Sequence, residues 1–114
     1  MAPESVPSWL WRLRFLRGYL GGFRATTGPR SAVIDVTSYC NLHCFGCRRH
    51  GPGASKSLPT GGHFPWELFA RLCPELRALG ASKMVFVGEG EPLLHPQLPD
   101  MRTQAASAAI AATC

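Results

Sequence analysis

At 114 residues, with a net charge of +5 and hydrophobic residues making up 46% of the chain, the protein has room for one domain at most. Five cysteines, in a chain whose first residues lack the pattern of a secretory leader, point to thiols kept reduced in the cytoplasm rather than to a disulfide scaffold. The positive charge is local: residues 1–30 carry five arginines against one glutamate, while seven bases and six acids nearly cancel over the rest.

The first stretch, Val6 to Phe23 (VPSWLWRLRFLRGYLGGF), interleaves large apolar residues with arginines. Trp9, Leu13, Leu16 and Leu20 share one stripe at helical spacing, so a helix is expected there. Gly21-Gly22 and Gly28-Pro29 should end it and form a connector. The arginines interrupt what would be an apolar run, which argues against a signal peptide and against a membrane span. Two uses stay open for residues 9–24. The helix can lie on an anionic membrane surface, or it can pack across the domain that it precedes; the second is the expected outcome. No nucleic-acid partner is expected, because no recognised binding module accompanies the charge.

Ala32 to Thr37 (AVIDVT) is short and rich in β-branched residues, which predicts a buried strand; Asp35 reads as a polar residue tolerated at its edge. Cys40-Asn41-Leu42-His43-Cys44-Phe45-Gly46-Cys47 follows at once. Three thiolates on one short loop repel one another unless a cation or an iron–sulfur core neutralises them. Three are one short of the usual protein ligand set for a [4Fe–4S] cluster, which would leave one iron free to bind a small molecule. Unmetallated thiols are one alternative. A structural zinc site completed by His50 or His43 is another, although zinc ligands usually come as two separated pairs and no second pair is present.

From Arg48 to Phe64 the chain is polar and rich in glycine and proline, a loop long enough to suggest function or mobility. Arg48, Arg49 and Lys56 are candidates to approach a carboxylate, and His50 and His63 are weaker ones; solvation is the ordinary fate of such residues. Pro65 to Leu79 predicts a helix with a Leu68, Leu72, Leu76, Leu79 stripe, interrupted by a kink or break at Pro74, with Cys73 a core thiol. Lys83 to Val87 predicts a second strand, parallel to the first if the helix is a crossover. Gly88-Glu89-Gly90-Glu91-Pro92 follows, where glycines allow close approach of a ligand to the backbone. Pro96 and Pro99 should open a further helix. Ala105 to Ala112 reads as small-residue helix or low complexity.

The stretch AVIDVTSYCNLHCFGC, Ala32 to Cys47, resembles the cluster loop of the radical S-adenosylmethionine (radical SAM) superfamily, which places Cys-x3-Cys-x2-Cys after its first barrel strand. VFVGEGEPLLHP, Val85 to Pro96, is similar to that family's Gly-Gly-Glu-Pro segment at the end of the second strand. The resemblance implies an α/β fold: an incomplete (βα) barrel of about two βα units preceded by a helix. A complete barrel takes ~200–250 residues. The implied division is 1–30, a basic aromatic helix and connector, and 31–114, the N-terminal portion of a truncated barrel. Ile110 to Cys114 would begin a third strand.

The resemblance further implies that Cys40, Cys44 and Cys47 hold a [4Fe–4S] cluster. Phe45, Gly88, Glu89, Gly90, Glu91 and Pro92 would bind S-adenosylmethionine, with Glu91 the family's acidic residue beside the methionine amine. The implied reaction is reductive cleavage of S-adenosylmethionine to a 5′-deoxyadenosyl radical, which takes a hydrogen atom from a substrate that the sequence does not identify; an electron-donor protein is a further implied partner. Two departures stand out. The aromatic residue often found just before the third cysteine is one place earlier, at Phe45, and the first glycine of Gly-Gly-Glu-Pro is Glu89. The short chain is expected to act as a fragment with little activity alone. A zinc-stabilised Cys3His binding module and a simple electron-transfer iron–sulfur protein stay open as other classes.

Overall fold

The computed structural model describes residues 7–22, 24–54 and 61–114. Helix α1 spans Ser8–Leu20, strand β1 Ser31–Asp35, helix α2 Trp66–Ala78, strand β2 Lys83–Val87, helix α3 Leu98–Ser107 and strand β3 Ala111–Thr113; a 3₁₀ turn occupies Pro92–Leu94. The strands form one parallel sheet in the order β1-β2-β3, with Ser31 opposite Lys83 and Lys83 opposite Ala111. The protein is therefore α/β, with two βα units and a third strand. The sheet stays open: three strands do not close a barrel.

Alternation along each strand decides which face is covered. Ile34, Met84 and Phe86 point to one side and are buried with Phe69 and Cys73 of α2 and Leu98, Met101 and Ala105 of α3. Phe69 lies at the centre, its ring 5.8 Å from that of Phe86, 6.2 Å from Trp66 and 6.5 Å from Phe64. On the other face Val33 is 67% exposed and Val87 is also exposed. Parallel sheets normally carry cover on both faces. Among the described residues, this one carries it on one.

Several expectations need correction. Helix α2 runs unbroken through Pro74, so losing one backbone donor did not end it. The side chains that meet the sheet are Phe69 and Cys73; Leu72 and Leu76 are partly buried, whereas Leu68 and Leu79 are exposed. The two stripes lie side by side on the helix, and the aromatic one takes the core. Helix α3 stops at Ser107, and Ala109 takes a positive φ of 56° to turn the chain into β3. The alanine run is thus helix, turn and strand rather than one helix. Strand β1 starts at Ser31 and leaves the ladder after Asp35.

Helix α1 also departs from expectation. It does not lie across the sheet but against its own connector: Arg24 N–H donates to the Gly18 carbonyl at 3.2 Å, and the Thr26 hydroxyl donates to the Arg14 carbonyl at 2.5 Å. Gly18 is the buried residue of the helix because a Cβ there would run into the Arg24 carbonyl. The Arg30 guanidinium lies 5.6 Å from the Trp11 ring, which stacks on Phe15. Trp9, Leu13, Leu16 and Leu20 all face outward.

Candidate metal centre

The segment after β1 is the keystone of the site. Val36 and Thr37 are buried; Val36 N–H donates to the Val87 carbonyl at 2.9 Å, and residues 62–64 return antiparallel beside them. Phe64 N–H donates to the Val36 carbonyl at 2.8 Å and Ser38 N–H to the Gly62 carbonyl at 3.0 Å. The Ser38 hydroxyl accepts from Gly61 N–H at 3.1 Å. These bonds close the base of the loop that carries the cysteines. On the other side the Gly88–Pro92 loop is tied to the same segment. Gly90 N–H donates to the Thr37 carbonyl at 3.0 Å and Glu91 N–H to the Tyr39 carbonyl at 2.8 Å. No side chain fits between them: a Cβ on Gly90 would overlap the Tyr39 carbonyl. Two loops roughly forty residues apart in sequence are thus joined backbone to backbone at the carboxyl end of the sheet, where α/β proteins gather their ligands.

Cys40 and Cys47 are half-buried and Cys44 is exposed; all three are free thiols. Backbone donors point at two of the sulfurs, Leu42 N–H at Cys40 Sγ (3.4 Å) and His50 N–H at Cys47 Sγ (3.2 Å). The His50 amide, followed by that of Arg49, holds the Cys47 thiol below its ordinary pKa. The turn after Cys47 is tight. Gly51 is buried, its N–H donates to the Cys47 carbonyl at 3.0 Å, and a Cβ there would meet the carbonyls of Cys44 and Cys47. Among the described residues, no three histidine, cysteine or acidic side chains are gathered closely enough to hold a metal ion. The donor set nevertheless has the right chemistry for an iron–sulfur cluster: three soft thiols on one loop, two of them already receiving N–H bonds of the kind that tune cluster potentials. Binding would require the loop to draw its sulfurs together.

The remaining residues singled out from the sequence divide clearly. Phe45 is 92% exposed. Glu91 uses one carboxylate oxygen to cap the 3₁₀ turn, accepting from Leu93 N–H at 3.2 Å. Glu89 and Arg49 form an ion pair that links the cysteine loop to the Gly88–Pro92 loop. His50 Nε2 lies 2.9 Å from the Ser38 carbonyl, an acceptor, so this nitrogen carries the proton and is not a lone-pair donor to zinc. His63 Nδ1 lies 2.9 Å from the Thr37 hydroxyl, and its ring meets that of Tyr39 at a tilt and that of His95 edge-on. Lys56 falls outside the described residues. Ser38, Tyr39, Cys40, His50 and Gly61 line an open cleft of roughly 250 Å³ at the loop base.

Two residues in this region escaped the sequence. Asp35, read as incidental, accepts from Glu89 N–H with both carboxylate oxygens (3.3 and 3.2 Å) and so fastens the second loop to the first strand. His95 is buried; its Nε2 donates to the Phe64 carbonyl at 3.1 Å and its Nδ1 accepts from Gln97 N–H at 3.1 Å. An acid near the carboxyl end of an apolar strand was the only available signal for Asp35. Nothing in the sequence marked His95.

Three known proteins are similar to the chain over part of its length. The chain is 38% identical over 68 residues to the probable GTP 3′,8-cyclase of Archaeoglobus fulgidus, a match covering 60% of this chain and 21% of that protein. It is 36% identical over 69 residues to the GTP 3′,8-cyclase of Chlorobaculum tepidum, covering 60% and 19%. It is 32% identical over 73 residues to the AdoMet-dependent heme synthase of Methanosarcina barkeri, covering 64% and 20%. All three are radical SAM enzymes. The chain is related to them. No protein-family model matches it. The chain spans about a fifth of the length of these radical SAM relatives.

Proposed function

We propose that Cys40, Cys44 and Cys47 hold a [4Fe–4S] cluster and that the adjoining Gly88–Pro92 loop receives S-adenosylmethionine. The observation that carries this reading is the backbone junction of the two loops, Gly90 to Thr37 and Glu91 to Tyr39, which sets a three-thiol loop beside a glycine-rich, acidic one. When bound and reduced, the cluster supplies the electron that breaks a sulfonium C–S bond of S-adenosylmethionine. The chain's own part is to bind and orient. The Leu42 N–H donates to Cys40 Sγ and the His50 N–H to Cys47 Sγ, the latter favouring the Cys47 thiolate. The second Glu91 oxygen is suited to accept from an ammonium group, and Asp35 keeps the loop that carries it in register with β1. Phe45, exposed on the cysteine loop, is the side chain we assign to the adenine.

Two relatives are named for GTP cyclisation and one for heme synthesis. What they share with this chain is therefore better read as the cofactor chemistry than as a substrate site. Anaerobic reconstitution with iron and sulfide tests the proposal. The wild type should bind about four irons and, once reduced with dithionite, show an EPR signal that changes on adding S-adenosylmethionine, and Cys44→Ala should lose both. One bound zinc without sulfide would replace the reading with a zinc module, and a signal indifferent to S-adenosylmethionine would replace it with an electron-transfer protein.

A further inference from the structure

The outward side of α1 is independent of the site above. Gly18, the residue pressed against the connector, lies on the opposite side of the helix from Trp9, Leu13, Leu16 and Leu20. Packing has thus used the small residue and left the large ones in water: Trp9 is 62% exposed and Leu20 82%. Arg12 and Arg17 flank this stripe on its two sides, both exposed. Among the described residues no acid occurs before Asp35, so nothing on the helix or its connector neutralises them. No described helix is long and apolar enough to cross a membrane.

We propose that α1 lies flat on an anionic lipid surface, with the leucines and Trp9 in the acyl boundary and Arg12 and Arg17 against lipid phosphates. Charge complementarity selects this occupant. A protein partner of ordinary composition would have to cover an apolar stripe while answering arginines on both of its edges. A lipid interface presents apolar depth and anionic headgroups together, and long arginine stems reach from one to the other. The short helix and modest apolar area make the attachment reversible and dependent on the headgroup charge.

Sedimentation of the full chain with vesicles tests this. Phosphatidylcholine vesicles containing about a quarter phosphatidylserine should pellet the protein, and phosphatidylcholine alone should not. Binding should fall as salt is raised. Arg12→Gln/Arg17→Gln should weaken partition about 25-fold, at roughly a fivefold loss per arginine near the surface. Leu13→Ser/Leu16→Ser should abolish it, and Arg102→Gln on α3 should leave it unchanged. All four substituted α1 positions are exposed, so circular dichroism should show the fold kept. Failure to pellet with anionic vesicles, or equal binding by the α1 variants, would overturn the proposal. So would lipid-free self-association that Leu13→Ser/Leu16→Ser abolishes, because the stripe would then be a protein contact. None of these outcomes depends on cluster loading, so the cofactor proposal stands or falls separately.

Discussion

Cys47 and Cys73 show how the same side chain takes opposite character from its surroundings. The His50 and Arg49 amides favour the Cys47 thiolate, whereas burial between α2 and the sheet raises the pKa of Cys73. In the metal-free chain, iodoacetamide near neutral pH should therefore alkylate Cys47 faster than a model thiol and leave Cys73 intact until the fold opens; peptide mass mapping reads both. Because the Cys47 pKa is depressed in the folded state, the support its thiolate gives the loop is complete above the ordinary thiol pKa. It disappears as pH falls through the lowered value. Gly90 and Gly46 offer a second contrast. Gly90→Ala must push apart two backbones and should cost about 2 kcal/mol or more, whereas Gly46, with no neighbour near its missing Cβ, should accept alanine with little change. Denaturant titration separates the two.

Between elements, the contacts that matter most bridge long stretches of chain, and these were the least legible in the sequence. Strand β2 could be read to its ends because a short apolar β-branched and aromatic run stops at a glycine. The cysteine loop stood out by its spacing, whereas the glycine-rich loop was singled out by its resemblance to a family segment. The Asp35–Glu89 tie was not legible, because its partners lie 54 residues apart and Glu89 joins it through a backbone N–H that no side-chain pattern reveals. The α2 stripe was misjudged for a different reason. Leu68-Leu72 and Phe69-Cys73 have the same spacing one position apart, and only the sheet determines which is covered. The Arg49–Glu89 pair belongs to this scale as well. Arg49 is largely buried and Glu89 about half exposed, so a double-mutant cycle with Arg49→Gln and Glu89→Gln should give a coupling of about 0.5–1 kcal/mol by thermal unfolding. If the pair also braces the cysteine loop, Glu89→Gln should speed cluster loss to a chelator.

For the whole molecule, the radius of gyration is 17.3 Å, against about 13 Å for a compact chain of similar length. The excess fits a helix leaning on its connector and a sheet bare on one side. A radical formed over so open a face would meet water, so the 114 residues alone should cleave S-adenosylmethionine slowly and without coupling to any substrate. Product analysis by chromatography checks this, and rapid coupled turnover would contradict it. Cluster loading should also raise the unfolding temperature, by several degrees if it adds 1 kcal/mol or more, because the thiols are ungathered without it. The junction of Gly90 and Glu91 with Thr37 and Tyr39 has a further bearing on descent. Its bonds are all main chain, so they ignore which side chains the two loops display. Provided Gly88 and Gly90 stay, the positions between and after them are free to drift toward new ligands while the frame beneath them is inherited unaltered.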